Sequence, residues 1–176
     1  MESGIVNDGV LAQDETQIGQ LWSLREGIPE AAGKAGKVYK YDLSLPVEKM
    51  YSLVHEIRQK LSQNGLLESE DEGGNKEGKG GVKTVFGFGH LGDGNLHINI
   101  VANSYDKEIE KVVEPYIYEL VAKHNGSISA EHGLGLMKAP YVSYSQSKSS
   151  IDLMKTLKQT IDPNGILNPY KCVTVE

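Results

Sequence analysis

The chain has 176 residues, with 18 Lys and Arg against 24 Asp and Glu and a formal net charge of -6. This length suits one domain with a real core, and the acidic balance argues against binding to nucleic acid or an anionic membrane surface. No apolar run approaches the roughly 20 residues that span a bilayer, and the single cysteine, Cys172, excludes an intrachain disulfide.

The first half of the chain predicts two helices around one strand. Residues 1–17 show no clear period, and we expect them to be poorly anchored. The sequence QIGQLWSLREGIPEAA predicts a helix that Pro29 ends or kinks. Residues 38–45 alternate as in a strand. A helix with one apolar face then opens at Pro46 and ends at Asn64-Gly65.

The second half begins with a charged, glycine-rich segment, residues 68–81, which predicts a mobile surface loop. Two strands follow, Lys83–Leu91 and Leu96–Ala102. The next helix covers Asp106–His124, and Pro115 should kink it.

The last predicted elements are a short strand in GSISAEHGLG and a helix over about Ser149–Ile161. From residue 38 onward the predicted order is β-α-β-β-α-β. That order indicates an α+β fold with a ferredoxin-like split βαβ, an antiparallel sheet with helices on one face.

The two central strands flank the turn in FGFGHLGDGNLHINI, residues 86–100. A two-residue turn at Asp93-Gly94 pairs His90 with His97 and Leu91 with Leu96. Both imidazoles then point to the same side, about 5 Å apart, and Asn99 shares their face. The opposite face pairs glycines with large aliphatic side chains, as expected where a helix packs closely.

Paired imidazoles at this separation suit a divalent transition metal such as zinc. The alternative is that His90 and His97 are polar residues on a solvated face. Glu131, followed by His132 and a glycine-rich loop, would complete a site of two histidines and one carboxylate with positions left open for substrate. No short motif identifies the third ligand.

Several motifs together resemble a known family: GHLGDGNLH, SAEHGLG, LREGI, VYKYDLSLP and DPNGILNPYK. From about Gln17 to Lys171 the chain resembles the C-terminal part of the FAD-linked D-2-hydroxyacid dehydrogenases. LREGI and VYKYDLSLP favour the D-2-hydroxyglutarate branch over the D-lactate branch. The resemblance implies the substrate-binding cap domain of a vanillyl-alcohol-oxidase-like flavoenzyme. FAD would be held mainly by an N-terminal domain that is absent from this chain.

The resemblance also implies roles for the polar residues around the hairpin. His90, His97 and Glu131 match zinc ligands, and Asn99 and His132 match residues that line the substrate and the flavin. His132 is the candidate base for the substrate hydroxyl proton. The alternative for His132 is support of Glu131.

The resemblance also implies which residues contact the substrate carboxylates and the flavin. Arg25 and Lys40 match basic residues that bind carboxylates, although each has an alternative as a surface charge. Asn168 lies in a terminal segment that returns toward the flavin ring. Pro29 stands where the family pattern has a small hydroxyl residue, which puts one substrate contact in doubt.

The predicted function is oxidation of D-2-hydroxyglutarate to 2-oxoglutarate, with FAD and zinc as cofactors. The resemblance implies a mitochondrial matrix location, an electron-accepting flavoprotein as partner and a homodimer as a further expectation, although no targeting segment is visible in this chain. The chain alone is expected to be inactive. Three alternatives stay open: a D-lactate dehydrogenase, a truncated non-catalytic module that binds metal, diacid or a partner, and a zinc hydrolase in which Glu131 or His132 activates water.

Overall fold

The computed structural model describes residues 8–68 and 81–174. It divides into two compact units, Met1–Ala35 and Gly36–Glu176. The helices and strands are α1 (Glu15–Glu26), α2 (Ile28–Ala35), β1 (Lys37–Ser44), α3 (Val47–Gln63), β2 (Val82–His90), β3 (Asn95–Ala102), α4 (Lys107–Val113), α5 (Tyr116–Lys123) and α6 (Lys148–Ile161). Two short 3-10 helices cover Leu91–Asp93 and Ala139–Tyr144.

The first unit contains a helix pair where the sequence predicts one interrupted helix. The Asp14 side chain caps α1 by accepting a hydrogen bond from the Gln17 backbone N–H at 2.8 Å. Helix α1 ends at Glu26, and α2 carries Pro29 in its first turn, where no backbone N–H is required. Residues 1–7 lie outside the described part of the chain.

The second unit is built on a three-stranded antiparallel sheet in the order β1-β3-β2. One face of the sheet packs against α3, α4 and α5 and forms the hydrophobic core. The core-facing residues of β1 and β3 are large and apolar: Tyr41, Leu43, Leu96, Ile98 and Ile100. Strand β2 adds Val82 and Val85 to the same core. Helix α3 contributes the predicted apolar face, with the buried side chains Met50, Leu53, Val54, Ile57 and Leu61.

The predicted fourth strand is reduced to an isolated antiparallel bridge between Ser127 and Ser44. One further backbone hydrogen bond joins the Ala130 N–H to the Asp42 carbonyl at 3.3 Å. Beyond that point the backbone turns away, and the next two N–H groups face a side chain instead of a strand. The α+β class and the antiparallel sheet are confirmed, whereas the full ferredoxin-like order stays a prediction.

The predicted two-residue hairpin turn is wrong. A 3-10 turn over Leu91–Asp93 and Gly94, with φ of 72°, connect the strands, and a Cβ at Gly94 would lie 2.6 Å from the Leu45 carbonyl oxygen. His97 therefore pairs with Phe88, not with His90. The error is two residues, an even number, so every strand side chain keeps its predicted face.

The longer turn has a second consequence. Leu91, predicted to face the core, lies in the turn and is 66% exposed. His90 pairs with Asn95. Gly87 and Gly89 face Ile98 and Leu96 across the strands, so glycines do stand opposite aliphatic side chains, as predicted, but with a shifted register.

The remaining predictions have mixed outcomes. The helix predicted over residues 106–124 is split at Pro115 into α4 and α5. Most of the predicted loop, residues 69–80, lies outside the described residues. Its ends are joined by a hydrogen bond from the Glu68 N–H to the Val82 carbonyl at 2.9 Å. Across the described ranges, no helix has both the length and the apolar character needed to cross a membrane.

Candidate metal and substrate site

The sheet face opposite the core carries the polar residues of all three strands. Strand alternation places them there, and the register sets their neighbours. The pairs on this face are Lys40 with Asn99, Asp42 with His97, and His90 with Asn95. The histidines predicted to share a face therefore do share one, although they are diagonal neighbours rather than directly opposed.

The loop after α5 lies over this face and is tied to it by Asp42. Oδ2 of Asp42 accepts hydrogen bonds from the backbone N–H groups of Glu131 at 2.8 Å and His132 at 2.9 Å. Oδ1 accepts a third from the Asn95 side-chain amide at 2.9 Å. The Ser129 hydroxyl donates to the Gly133 carbonyl at 2.8 Å and closes the loop. Glu131 and His132 are thereby fixed beside β3.

His97 lies at the centre of the cluster. Its Nδ1 is 3.4 Å from Oδ1 of Asp42, and its Nε2 is 3.2 Å from Oε1 of Glu131. The His132 ring stacks on it, with centroids 5.5 Å apart and an angle of 12° between the planes. The His90 ring meets it edge-on at 5.8 Å. Three imidazoles and two carboxylates therefore meet on one side of the sheet.

The geometry and the chemistry of this cluster fit a divalent metal. Asp42, His97, Glu131 and His132 each offer a ligand atom, and these atoms lie within 4.8 Å of one another. Two ligands of a tetrahedral zinc ion are about 3.3 Å apart, given bond lengths near 2.0 to 2.2 Å. The 3.2 Å between His97 Nε2 and Glu131 Oε1 matches that spacing.

Burial and hydrogen bonding set the protonation states of the two inner residues, His97 and Asp42. Burial lowers the pKa of His97, more than the carboxylates of Asp42 and Glu131 raise it, which favours the neutral, ligating imidazole. Burial also raises the pKa of Asp42, but the hydrogen bonds from His132, Glu131 and Asn95 outweigh it, so the pKa is below the usual range. Asp42 is therefore a charged acceptor, 2% exposed.

Asp42 is the site residue that sequence reasoning missed. In YKYDLSL it alternates with the core residues Tyr41 and Leu43, so the sequence predicts that Asp42 shares the opposite, polar face with Lys40. Its position opposite His97 depends on the β1–β3 register, which no local pattern specifies.

The structure places the other predicted residues as follows. Asn99 is 2% exposed, and its amide donates to the His97 carbonyl at 3.3 Å. Asn168 follows α6 with φ of 44°, and its side-chain oxygen accepts a hydrogen bond from Lys171 at 3.1 Å. Arg25 belongs to the first unit, where its guanidinium lies 5.6 Å from the centroid of the Trp22 ring.

Lys40 lines a cavity of about 630 Å³ along the outer edge of β1. The opposite wall includes Lys138, whose Nζ donates to the Ile128 carbonyl at 2.8 Å and whose pKa is lowered by burial. Glu114, at the end of α4, also lines it. A cavity of this size accommodates a small organic molecule.

Comparison with known proteins assigns the family. Residues 1–172 match the family model described as FAD linked oxidases, C-terminal domain. A mitochondrial protein of Schizosaccharomyces pombe described as a candidate D-lactate dehydrogenase is 54% identical over 98% of this chain and 32% of its own length. Mitochondrial D-2-hydroxyglutarate dehydrogenases of Arabidopsis thaliana and Danio rerio are 50% and 47% identical over 97% of this chain, and 27% and 29% of their own lengths.

The chain thus spans 27% to 32% of the length of these curated relatives. The family model covers nearly all of it, and the relatives agree over the same span. The chain belongs to the FAD-linked oxidases and matches the C-terminal domain of that oxidoreductase family.

Proposed function

We propose that this chain is the substrate- and metal-binding part of a mitochondrial FAD-dependent dehydrogenase that oxidises D-2-hydroxyglutarate to 2-oxoglutarate. The observation that carries the proposal is the approach of His97 Nε2 and Glu131 Oε1 to 3.2 Å, beside His132, on the sheet face that also holds Lys40. The relatives' names supply the reaction class and the compartment.

The proposed metal ligands are His97, Glu131 and His90. His97 offers Nε2, and Glu131, 48% exposed along its side chain, offers a carboxylate oxygen. His90 is assigned as the third ligand because its ring stands edge-on to His97 on the same face. Zinc bound here would supply a Lewis acid that lowers the pKa of the substrate's 2-hydroxyl group.

The proposed base is His132. Its side chain is 62% exposed, so it can meet a substrate, and its Nδ1 is 3.9 Å from Oδ2 of Asp42. An imidazole in this position can accept the hydroxyl proton as C2 is oxidised. Bound FAD would supply the hydride acceptor. Asn99 and Asn168 are proposed to contact the substrate or the edge of the flavin ring.

The proposed carboxylate contacts are Lys40 and Arg25. A five-carbon diacid carries two negative charges, which call for cationic partners in addition to the metal. Lys40 lines the cavity beside β1, and the planar guanidinium of Arg25 can bind a carboxylate through two parallel hydrogen bonds. A second carboxylate contact would distinguish the diacid from lactate.

A D-lactate dehydrogenase is the second candidate, because the relative so described in S. pombe shares 54% identity. Membership in an oxidoreductase family removes the support for a zinc hydrolase.

We also propose that the sheet is the ferredoxin-like core of a vanillyl-alcohol-oxidase-like cap domain, that another flavoprotein receives the electrons, and that the enzyme forms a homodimer.

Steady-state assays test which hydroxy acid is the substrate. They use the longer enzyme, which contains both this chain and a flavin-binding part. Dye reduction should give a much higher kcat/KM with D-2-hydroxyglutarate than with D-lactate, and Lys40→Ala should reduce that ratio. A higher kcat/KM with D-lactate would select the second candidate. Absence of dye reduction with both acids would contradict the dehydrogenase proposal.

A further inference from the structure

We propose that Asp42 is a positioning residue, which fixes the His97 tautomer and holds the Glu131–His132 loop in place for metal capture. This inference rests on the proposed function, because the metal is the one that His97 and Glu131 would bind. Asp42 itself would touch neither the metal nor the substrate.

The Asp42 carboxylate is saturated with hydrogen-bond donors. Oδ2 accepts two backbone N–H groups, from Glu131 at 2.8 Å and His132 at 2.9 Å. Oδ1 accepts the Asn95 amide at 2.9 Å and faces Nδ1 of His97 at 3.4 Å. A metal bond to either oxygen would compete with these donors. The side chain is also 2% exposed.

Each ring nitrogen of His97 faces a carboxylate, but Asp42 beside Nδ1 is buried whereas Glu131 beside Nε2 is half-exposed. Asp42 is therefore the less solvent-screened partner and favours the tautomer with the proton on Nδ1, because that N–H can donate to it. The lone pair then lies on Nε2. That nitrogen is the one 3.2 Å from Oε1 of Glu131. The Asp42–His97 contact therefore turns the ligating nitrogen toward the second ligand.

Asp42 holds the Glu131–His132 loop by hydrogen bonds to the backbone N–H groups of Glu131 and His132, and Oδ2 also lies 3.9 Å from Nδ1 of His132. The two side chains stay accessible, at 48% and 62% exposure. One carboxylate thus joins β1, β3 and the loop after α5. Its loss would loosen the relative positions of His97 and Glu131 without removing either ligand.

The test uses the full 176-residue chain and its variants Asp42→Asn and Asp152→Asn. Asp152 is a matched control, since it is a helical surface carboxylate paired with Lys148 at 2.8 Å. The side chain introduced by Asp42→Asn retains an oxygen that can accept from the loop N–H groups, but its amide nitrogen can present an N–H toward His97. Zinc affinity, measured by competition with a chromophoric chelator, should fall about 10- to 100-fold in Asp42→Asn and stay unchanged in the control.

Nitrogen-15 NMR of the histidine rings gives a readout that does not depend on the metal. In metal-free wild-type protein, at a pH where the ring is neutral, His97 should carry its proton on Nδ1. In Asp42→Asn the proton should move to Nε2. A wild-type proton on Nε2 overturns the proposal, even if the variant fails to fold.

Two zinc results would also overturn it. Unchanged affinity in a folded Asp42→Asn protein would show that the carboxylate does not position the ligands. Loss of zinc as complete as in His97→Ala would make Asp42 a ligand. Failure of the proposed metal site can be distinguished from failure of the Asp42 proposal. Without a metal site the wild-type protein would bind no zinc, but the His97 tautomer would still report on the role of Asp42.

Discussion

Nε2 of His97 lies 3.2 Å from Oε1 of Glu131, although 34 positions separate the two residues in the chain. Strand β3 supplies the imidazole, and the loop after α5 supplies the carboxylate. A contact between a partly buried histidine and a half-exposed glutamate leaves one side of the pair accessible. This is the arrangement that a catalytic metal requires, because substrate must reach the ion.

Single alanine variants should show that His90 is a zinc ligand and that His132 is the base. His90→Ala should weaken zinc binding, whereas His132→Ala should retain zinc and lose most dehydrogenase activity in the longer enzyme, by about 10²- to 10⁴-fold in kcat. His124→Ala, at the end of α5, serves as the control for both measurements. Zinc lost from His132→Ala and retained by His90→Ala would reverse the two assignments.

Arg25→Lys in the longer enzyme should raise the apparent KM for D-2-hydroxyglutarate. Loss of a bidentate contact to a charged group costs about 1.5 to 3 kcal/mol, or roughly 10- to 150-fold. Arg58→Lys is the matched control, since Arg58 is the other arginine of the sequence and its Nε donates to the Val85 carbonyl at 2.8 Å. An equal KM for wild type and Arg25→Lys would make Arg25 a surface charge.

Deletion of residues 73–80 should change stability little. The segment is charged and glycine-rich, and the chain on either side is already joined by the Glu68–Val82 hydrogen bond. Shortening the connection changes the closure entropy by only about 1 kcal/mol. Thermal unfolding of the deleted and intact proteins measures the effect. A much lower Tm after deletion would show that the segment packs against the fold.

The turn after α6 should lose protection in acid. Asp162 accepts hydrogen bonds from Lys158 at 2.6 Å, Ile166 N–H at 3.0 Å and Leu167 N–H at 2.9 Å. The Lys158 bond, aided by the two backbone bonds, lowers the pKa of Asp162 despite some desolvation. A lowered pKa means that the stabilisation is complete above the unfolded value near 3.9 and is lost as the pH falls through the folded value.

Amide hydrogen exchange measures this loss. After correction for intrinsic rates, the Ile166 and Leu167 amides should exchange faster as the pH falls below about 4 in wild-type protein. In Asp162→Ala, which has no acceptor oxygen, they should exchange fast at every pH, and in Asp152→Asn they should follow the wild type. Equal protection of both amides in Asp162→Ala and wild type would show that Asp162 does not hold the turn.

The sequence predicted helices and strands best where periodicity and terminators agree. Helix α3 has an apolar face, a proline before it and Asn64-Gly65 after it, and its bounds match the prediction closely. The hairpin turn failed because Asp93-Gly94 is compatible with both a two-residue turn and a longer 3-10 connection. In the structure Gly94 packs closely against the Leu45 backbone, a contact that the local sequence does not reveal.

The candidate site was predictable to the extent that it depends on local pattern. Strand alternation placed His90, His97 and Asn99 on one face, and the even register error preserved that result. Asp42 was not predictable, because its role depends on the pairing of strands separated by 50 intervening positions in the chain and on backbone N–H groups of a distant loop.

Zinc titration by calorimetry into metal-free wild-type, His97→Ala and His124→Ala proteins tests the central claim most directly. We expect one zinc ion per chain in the wild type and in His124→Ala. In His97→Ala the zinc affinity should fall by more than the roughly 10- to 100-fold that is typical when a residue hydrogen-bonded to a metal ligand is lost. Equal stoichiometry and affinity in all three proteins would contradict the claim that His97 and Glu131 form a metal site.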